Sequence, residues 1–339
     1  MSFEKPSGFG TFHGAQCAIF GQDSSAPEGS KANAANQRVS AKRGSRGKEG
    51  KGVAMLLMIG AMIAWYGLLI YLGHRYPVVK LPAKAYLANF LAGVAATVIG
   101  LPLSYLTGGL AIWATQATGL QLDLLHPDQI GVGVSLIDQA LRLLAMIFVP
   151  LAVYDFWLAF SHRLEHHVPF LWDVHRIHHS DRWMNPLTVF RDHFLQGPWR
   201  GFFSLLTIGL FVDLDFKEGG QAALYSQMFL FAWAALCHSN IRVELPWLEG
   251  ILVTPQYHRI HHSVQPEHSD KNFADMFPIF DRLFGSSVRP KPGEFPETGL
   301  HSGERIDGIG GIIVAPLISW FGRLRRLFGK HPAPDARQA

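Results

Sequence analysis

A hexapeptide that occurs twice carries most of the chemistry that this sequence can offer. Residues 175–180 and 258–263 both have the sequence His-Arg-Ile-His-His-Ser. Each copy places histidines at positions i, i+3 and i+4, which lie on one face of an α-helix about one turn apart. The three imidazoles of one copy can therefore converge on one point, and the two copies together predict a polynuclear metal site.

Other histidines have spacings and positions that extend this site. His162 and His166 have the i, i+4 spacing that commonly brings two imidazoles to one metal ion. His238 follows the end of an apolar run, as His162 does, and is expected to join them. His167 directly follows His166, points about 100° away from it around the helix, and is excluded. The nine predicted metal ligands are His162, His166, His175, His178, His179, His238, His258, His261 and His262.

The number and type of these ligands favour two iron ions. Imidazole suits zinc, copper, iron and nickel, and the lack of thiolates excludes a cysteine-type structural zinc site. Structural zinc is satisfied by four ligands, whereas this many neutral ligands indicates two metals with roughly five or six positions each. Because the chain has no Glu-x-x-His motif, the carboxylate-bridged kind of di-iron site is excluded.

Apolar runs of membrane-span length must position these histidines. The chain has 339 residues, of which 48% are hydrophobic and 17% charged. The runs at 53–72, 85–106 and 143–160 are long enough to cross a bilayer or nearly so. Shorter stretches at 202–214 and 222–237 predict a hairpin that enters the membrane and returns, so both hexapeptides finish on the same side.

These patterns predict an all-α integral membrane helical protein with a histidine-rich helical di-metal site at the cytoplasmic face. The stretch at 306–321 fits either a helix on the membrane surface or a packed amphipathic helix. The predicted domains are a disordered basic tail at 1–50, membrane helices at 51–160, a catalytic region at 140–285 that includes the hairpin at 201–237, and a C-terminal segment with a basic tail at 286–339.

The cytoplasmic placement follows from basic residues. Short loops rich in Lys and Arg stay cytoplasmic, and such residues precede the first run, accompany the first histidine cluster and lie near the end of the chain. Three full crossings between residues 52 and 161 would separate the N-terminal tail from the histidines, so one run is expected to be re-entrant or interfacial. The excess basic residues lie beside the membrane segments. This position favours anionic lipid over nucleic acid as their binding partner.

The ordered histidine motifs resemble those of a known superfamily. The series His-x3-His, His-x2-His-His and His-x2-His-His is similar to that of the fatty acid hydroxylase and sterol desaturase superfamily of integral membrane di-iron enzymes. The resemblance covers roughly residues 140 to 285. Its flanking matches are Asp155, His162-Arg163, Leu171-Trp172, Asn185-Pro186, His238-Ser239-Asn240 and the segment 281–285.

Two motifs depart from the pattern of this superfamily. Members often have Arg-x-His-Pro after the first triplet, where this chain has Phe194 in place of the proline. Members often have Asn-Tyr-Gly where this chain has Asn272-Phe273-Ala274. Neither departure touches an expected ligand, but both leave the subfamily open.

The resemblance implies an oxygenase that acts on a lipid. The expected reaction is O₂-dependent hydroxylation or desaturation at an unactivated C–H bond, of the EC 1.14 class, with two Fe ions as cofactor and O₂ as co-substrate. Neither the lipid nor the substrate-binding residues are specified. Candidates for orienting the ligand imidazoles are Asp155, Asp173, Asp181, His193 and Asn272, for which capping or surface roles are equally compatible.

The electrons are expected to come from a separate protein. The sequence lacks a dinucleotide-binding Gly-x-Gly-x-x-Gly, a haem-attachment Cys-x-x-Cys-His and the His-Pro-Gly-Gly of a fused cytochrome b5 domain. A ferredoxin, or a cytochrome b5 with its reductase, is therefore the predicted electron donor.

Two other classes of protein use histidines near membrane spans. A membrane metal-binding or metal-transport protein needs ligands within its spans, whereas these histidines lie at or beyond the ends of the apolar runs. A zinc hydrolase needs a general base such as the Glu of His-Glu-x-x-His, a motif that this sequence lacks. The metal-binding protein stays the main alternative.

Overall fold

Helices make up almost all of the regular structure. The computed structural model describes residues 55–118, 135–211 and 219–328. Within these ranges there is no β-strand, only two isolated bridges, Pro77 with Ile241 and Ser263 with Thr298. The predicted helical class is confirmed for these residues. The helices are α1 (Met55–Arg75), α2 (Ala83–Thr118), α3 (Leu136–His167), α4 (Pro169–His179), α5 (Gln196–Phe211), α6 (Gly219–Cys237), α7 (Pro255–His261), α8 (Ile279–Phe284) and α9 (Gly308–Phe328), with 3₁₀ turns at Pro186–Phe190 and Pro266–His268.

Helices α1 and α2 are long and apolar enough to cross a membrane. They correspond to the first two predicted runs. Helix α2 continues for 36 residues, twelve beyond the predicted end at residue 106, although Pro102 removes one of its backbone hydrogen bonds. At about 1.5 Å per residue it is roughly 54 Å long, well over the ~30 Å hydrocarbon thickness. The helix therefore does not end with the predicted run but continues as far as Thr118.

The other apolar runs also lie in helices. The third predicted run, 143–160, forms the middle of α3, whose last turns carry His162 and His166. The two arms of the predicted hairpin lie in α5 and α6, and α5 begins at Gln196, earlier than predicted. Their junction at 212–218 lies outside the described residues. The N-terminal tail at 1–50 and the end of the basic C-terminal tail lie outside them too.

Proline sets the sharp turn between α3 and α4. Val168 has an extended backbone (φ −96°, ψ 113°), which a following proline favours, and Pro169 begins α4 without needing a backbone donor. A single residue thus separates the two helices. The C-terminal histidines of α3 therefore face those of α4.

Helix α9 covers α4 from outside. Arg323 donates to Asp173 at 2.9 Å, and the Trp320 indole donates to the carbonyl of Phe170. Its inner side includes buried Ile312, which packs in a cluster with Ile177 of α4. Its outer side exposes a row of apolar side chains. This row consists of Val314, Ile318, Phe321, Leu324 and Leu327.

Two glycines allow α2 to approach the segment that follows α4. A Cβ atom added to Gly93 would lie 2.7 Å from the Cβ of Phe190, and one added to Gly100 would lie 2.6 Å from the carbonyl oxygen of Phe194. Side-chain atoms do not tolerate such distances, so a glycine is needed wherever this spacing is kept. The contact holds residues 190–194 between α2 and the histidines.

Replacing Gly100 by Ala is expected to destabilise the protein by about 1–3 kcal/mol, because the new methyl group meets a backbone atom that cannot rotate away. Unfolding in detergent, followed by helical circular dichroism, measures this. Gly109 of the same helix has no atom within 4 Å of an added Cβ, so Gly109→Ala is the matched control. Equal stability of the two variants would contradict the close packing of α2 on this segment.

Candidate metal centre

The nine predicted histidines come together in two neighbouring groups. One group has five imidazoles and the other has four, and the ligand nitrogens within each group lie within 4.8 Å of one another. The rings of His179 and His262, one from each group, stack with centroids 4.4 Å apart. The five-histidine group is His162, His166, His175, His179 and His261; the four-histidine group is His178, His238, His258 and His262.

The membership of the groups crosses the two hexapeptides. The first copy gives His175 and His179 to the five-histidine group and its middle histidine, His178, to the other. The second copy gives His258 and His262 to the four-histidine group and its middle histidine, His261, to the five-histidine group. The expectation that the three imidazoles of one copy converge on one point was therefore wrong.

Helix geometry accounts for this crossing. Relative to the first histidine, the residue at i+4 lies about 40° to one side and the residue at i+3 about 60° to the other. The first and last histidines of each triplet, its outer pair, therefore point to one side of the helix. The middle histidine points to the other side, about 60° from the first and about 100° from the last. Helices α4 and α7 are placed so that each outer pair meets the other helix's middle histidine.

Contacts among the rings join their Nε2 atoms. In the five-histidine group, Nε2 of His162 lies 2.9 Å from that of His175 and 3.0 Å from that of His261. Nε2 of His179 lies 3.1 Å from those of both His166 and His175. In the four-histidine group, the same atom of His238 lies 3.0 Å from that of His178 and 3.1 Å from that of His258.

The outward Nδ1 atoms find oxygen partners instead. His162 donates to the carbonyl of Phe273 at 2.9 Å, and His261 to that of Lys271 at 2.7 Å. His238 donates to the carbonyl of Ala234 at 2.7 Å, one turn back in its own helix. A proton on Nδ1 leaves the lone pair on Nε2, so these bonds select the tautomer whose inward nitrogen can bind a metal.

Burial keeps these imidazoles neutral. It is the largest cause of a lowered pKa in all nine, and it lowers the pKa of His238 to about 4. The other eight pKa values are also lowered, in most of them further by neighbouring imidazoles. Neutral imidazole is the form that binds metal.

The nitrogens fit two metal ions. Metal–nitrogen bonds of about 2.0–2.1 Å at right angles would put two ligand atoms about 2.9 Å apart, close to the observed spacings. Neither nitrogen of His262 has a hydrogen-bond partner among the described residues, although the ring is buried. A buried polar group without a partner costs about 1–3 kcal/mol, and a metal ligand bond would remove that penalty.

The metal-free protein is expected to lose stability as the pH falls below about 6.5. The unfolded histidines take up protons there, while the folded ones, with lowered pKa values, do not, so each favours unfolding by about 1.4 kcal/mol per pH unit. Chemical unfolding in detergent at about pH 7, 6 and 5 measures this slope. A free energy of unfolding that does not change over this range would contradict the buried neutral histidines.

An ion pair that sequence reasoning missed lies beside the five-histidine group. Glu165 is buried between His162 and His166 on α3 and accepts two hydrogen bonds from Arg200 of α5, at 2.9 and 2.6 Å. Its Oε2 also accepts from the amide nitrogen of Gln196 at 3.2 Å and lies 3.3 Å from Nδ1 of His175. Its position between two predicted ligands was the signal that could have pointed to it.

Gln196 completes this contact. Its amide nitrogen donates to Oε2 of Glu165 at 3.2 Å and lies 2.8 Å from Nδ1 of His175. Glu165 and Gln196 therefore both hold the ring of His175.

Two other carboxylates approach the outer edges of the groups. Asp270 Oδ1 accepts from Nδ1 of His166 at 3.2 Å. Asp192 Oδ1 lies 3.5 Å from Nδ1 of His178, and burial raises the pKa of Asp192 to about 7. Both residues lie in loops. Because the loops contain no regular spacing of acidic residues, the sequence alone does not indicate which histidine each carboxylate contacts.

The structure gives the five predicted orienting residues other partners. Asp155 accepts from the backbone N–H groups of Met276 and Phe277. Asp173 pairs with Arg323 of α9. Both hold a segment or helix next to the histidines rather than an imidazole.

The remaining three predicted residues are also structural contacts. Asp181 accepts hydrogen bonds from Asn89 and Thr188. His193 lies against the carbonyl of Ile313 in α9. The side-chain amide of Asn272 donates to the backbone carbonyls of Tyr257 and Val288. His167, which was excluded from the ligands, is exposed and bonds to the carbonyl of Arg163.

The part of the chain that contains both groups matches a known family. Residues 147–286 match the model of the fatty acid hydroxylase family. These residues form a fatty acid hydroxylase domain. The match includes all nine histidines, Glu165, Asp192 and Asp270, whereas α1 and α2 lie outside it.

Relatives of this fatty acid hydroxylase domain carry several names. Alkylglycerol monooxygenase of Danio rerio is 33% identical over 146 residues, which are 40% of this chain and 31% of that protein. Ornithine lipid hydroxylase OlsE of Rhizobium tropici is 27% identical over 199 residues, 55% of this chain and 54% of that protein. Delta(7)-sterol 5(6)-desaturase ERG3B of Gibberella zeae is 31% identical over 154 residues, 44% and 42% of the two chains.

These matches are partial. The alignments span 28–31% of the length of the alkylglycerol monooxygenases. No solved structure matches the chain. The similarity therefore concerns the domain that holds the histidines.

Proposed function

We propose that this protein is a membrane-bound di-iron oxidoreductase that uses O₂ to hydroxylate or desaturate a lipid. One observation carries the proposal: two adjacent, buried, all-histidine groups point their Nε2 atoms inward within a fatty acid hydroxylase domain. The nine histidines are the proposed metal ligands.

The composition of the groups favours iron over zinc. A structural zinc site is satisfied by four ligands in a tetrahedron, whereas the larger group offers five imidazoles. Imidazole is a suitable ligand for iron, and a five-ligand site can leave a position open. Two iron ions bound here would supply activation of O₂ for attack on an unactivated C–H bond.

The protein's own residues would hold and shield this centre. The backbone carbonyls and carboxylates at the Nδ1 atoms fix the ring orientations, which is what second partners of metal-bound histidines do. Burial of the rings excludes bulk water and so limits side reactions of the activated oxidant. The paired Glu165 and Arg200 place both charges beside the site without leaving either one unpaired.

A lipid substrate fits the surroundings of the groups. A cavity of about 290 Å³ has walls that are mainly Phe170, Leu171, Trp199 and Trp320, and reaches Glu165. A second cavity, of about 230 Å³, lies between α2 and residues 189–198 and includes Asp192, the neighbour of His178. The names of the relatives, which include a lipid hydroxylase, a sterol desaturase and alkylglycerol monooxygenases, support the same substrate class.

We place the histidine groups at the cytoplasmic face of a multi-pass membrane protein. Helices α1 and α2 supply two candidate spans. The exposed apolar row of α9 is bordered by Arg325 and Arg326, a pattern that suits a helix lying at a surface of anionic lipid. Basic residues near the groups favour the cytoplasmic side. The catalytic region is proposed to span 140–285, between the membrane helices and the C-terminal segment.

The proposed electron donor is a separate protein, a ferredoxin or a cytochrome b5 with its reductase. A donor is needed because the reduction of O₂ consumes more electrons than oxidation of the substrate supplies. The sequence motifs for a bound flavin, nicotinamide or haem donor are missing from the chain.

Metal analysis and product analysis together test the function. The purified protein should contain about two irons per chain, and cells expressing it should contain a lipid that differs from its precursor by one added oxygen or two lost hydrogens. The His167→Ala variant, which changes an exposed ring outside both groups, should give the same product. Zinc alone, with no O₂ consumed under reducing conditions, would favour the metal-binding alternative and overturn the oxidoreductase.

A further inference from the structure

One short segment contacts three of the five imidazoles in the larger group. We call residues 270–273 the strap. Asp270 Oδ1 accepts from His166 at 3.2 Å, the carbonyl of Lys271 from His261 at 2.7 Å, and the carbonyl of Phe273 from His162 at 2.9 Å. These imidazoles come from α3 and α7, so the strap joins two helices at the back of one group.

The backbone of the strap is unusual. Asp270 and Asn272 have φ values of 57° and 58°, and in the described ranges they are the only residues other than glycine with positive φ. This left-handed conformation is disfavoured for most side chains, although Asn and Asp adopt it more readily. Strained backbone of this kind persists where its surroundings hold it, which is common at functional sites.

Buried contacts hold the strap from its other side. The Asn272 side chain donates to the carbonyls of Tyr257 and Val288 and accepts from the Val288 N–H at 2.7 Å. Asp281 of α8 accepts from the N–H groups of Phe273 and Ala274. The carbonyls that face the histidines are therefore fixed by residues that do not touch any imidazole of the groups.

The smaller group is held differently. His238 bonds to its own helix, at Ala234. His178 lies 3.5 Å from Asp192. The Nδ1 atoms of His258 and His262 have no hydrogen-bond partner among the described residues. The contacts of the strap thus concern the five-histidine group alone.

We propose that the strap organises the five-histidine group as a metal site of its own, and that the Asp270 side chain controls the metal affinity of this site. This inference rests on the proposed function. Asp270 is the strap residue whose side chain accepts a hydrogen bond from a proposed ligand, whereas the ring of Phe273 packs edge-on against His162, His166 and His261. Its side chain is 52% exposed, so replacing it leaves the core intact. The two metal positions can then be weakened separately, and Asp270 is a positioning residue for one of them.

Three variants separate the carboxylate from the backbone conformation. Asp270→Gly keeps the left-handed conformation, which glycine adopts freely, but removes the oxygen that accepts from His166. Asp270→Asn keeps both the conformation and an accepting oxygen while removing the charge. Glu267→Gln removes one exposed acidic charge from the same loop and serves as the matched control.

The experiment titrates the full-length, metal-free protein in detergent with Fe²⁺ under anaerobic conditions, against a competing chelator. Loss of an outer partner of a metal-bound histidine lowers affinity about 10–100-fold. Asp270→Gly should show this loss for one Fe²⁺ and wild-type affinity for the other. Asp270→Asn and Glu267→Gln should bind both ions as the wild type does, and the unfolding midpoints of all four metal-free proteins should agree.

The outcomes distinguish the strap from the metal centre itself. Wild-type affinity of Asp270→Gly for both ions, or equal weakening of both, overturns the role of the strap. An Asp270→Asn variant as weak as Asp270→Gly overturns action through the hydrogen bond to His166. A wild-type protein that does not bind two Fe²⁺ ions overturns the proposed function instead.

Discussion

The His261→Ala variant is expected to lose turnover and to bind one metal ion per chain instead of two. His261 lies in the second hexapeptide, but it belongs to the five-histidine group with His175 and His179 of the first. Removing a direct ligand should have a larger effect than the ~100-fold upper range for losing an outer partner. Iron content and lipid turnover of the purified variant measure both effects, and membrane insertion should be unchanged.

Double variants test the crossed assignment. His175→Ala with His261→Ala should remove the same metal ion as either single change, so the second change adds little. His178→Ala with His261→Ala should remove both ions, because His178 belongs to the four-histidine group. If instead the first of these pairs emptied both sites, each hexapeptide would hold its own metal and the crossed assignment would be wrong. His167→Ala is the control with full metal content.

The second large effect is expected at the ion pair between Glu165 and Arg200. Arg200→Met leaves the Glu165 carboxylate, whose side chain is 2% exposed, without its cation. Breaking one side of a buried pair destabilises by about 3–5 kcal/mol, since the remaining charge is uncompensated. The free energy of unfolding in detergent measures the loss. The freed carboxylate also lies 3.3 Å from Nδ1 of His175, so a change in iron affinity should accompany it.

A matched pair of controls separates burial from charge. Adding Glu165→Gln to Arg200→Met removes the second charge, and the double variant should recover part of the lost stability. Glu304 pairs with Arg176 but is 43% exposed, so Glu304→Gln should change stability by less than about 1 kcal/mol. Equal losses from Arg200→Met and Glu304→Gln would show that the buried pair has no special role.

The sequence was sufficient to select the histidines but not to group them. Spacings of three and four residues identify helical faces, and all nine predicted residues lie together; their role as ligands stays a prediction. Which triplet members share a metal depends on how α4 and α7 face each other. That relation is set by tertiary packing, so the crossing of His178 and His261 could not be read from either copy alone.

The supporting contacts were the least predictable part. Glu165, Gln196, Asp192 and Asp270 reach imidazoles whose sequence positions are between 10 and 104 residues away, and nothing in their local sequence marks these partners. The helical class and the first two apolar helices were predictable because composition and run length decide them. The extension of α2 was not predictable, since residues 107–118 are less apolar than the predicted run yet are helical.

The crossed membership has a consequence for biosynthesis. A ribosome that has made the chain as far as residue 254 has produced four of the five histidines of the larger group but only His178 and His238 of the smaller one. Neither set is complete until α7 has been synthesised and has met α4. Iron can then be retained in full only by a chain whose two hexapeptides have found each other, so metal retention reports whether a newly made molecule has finished folding.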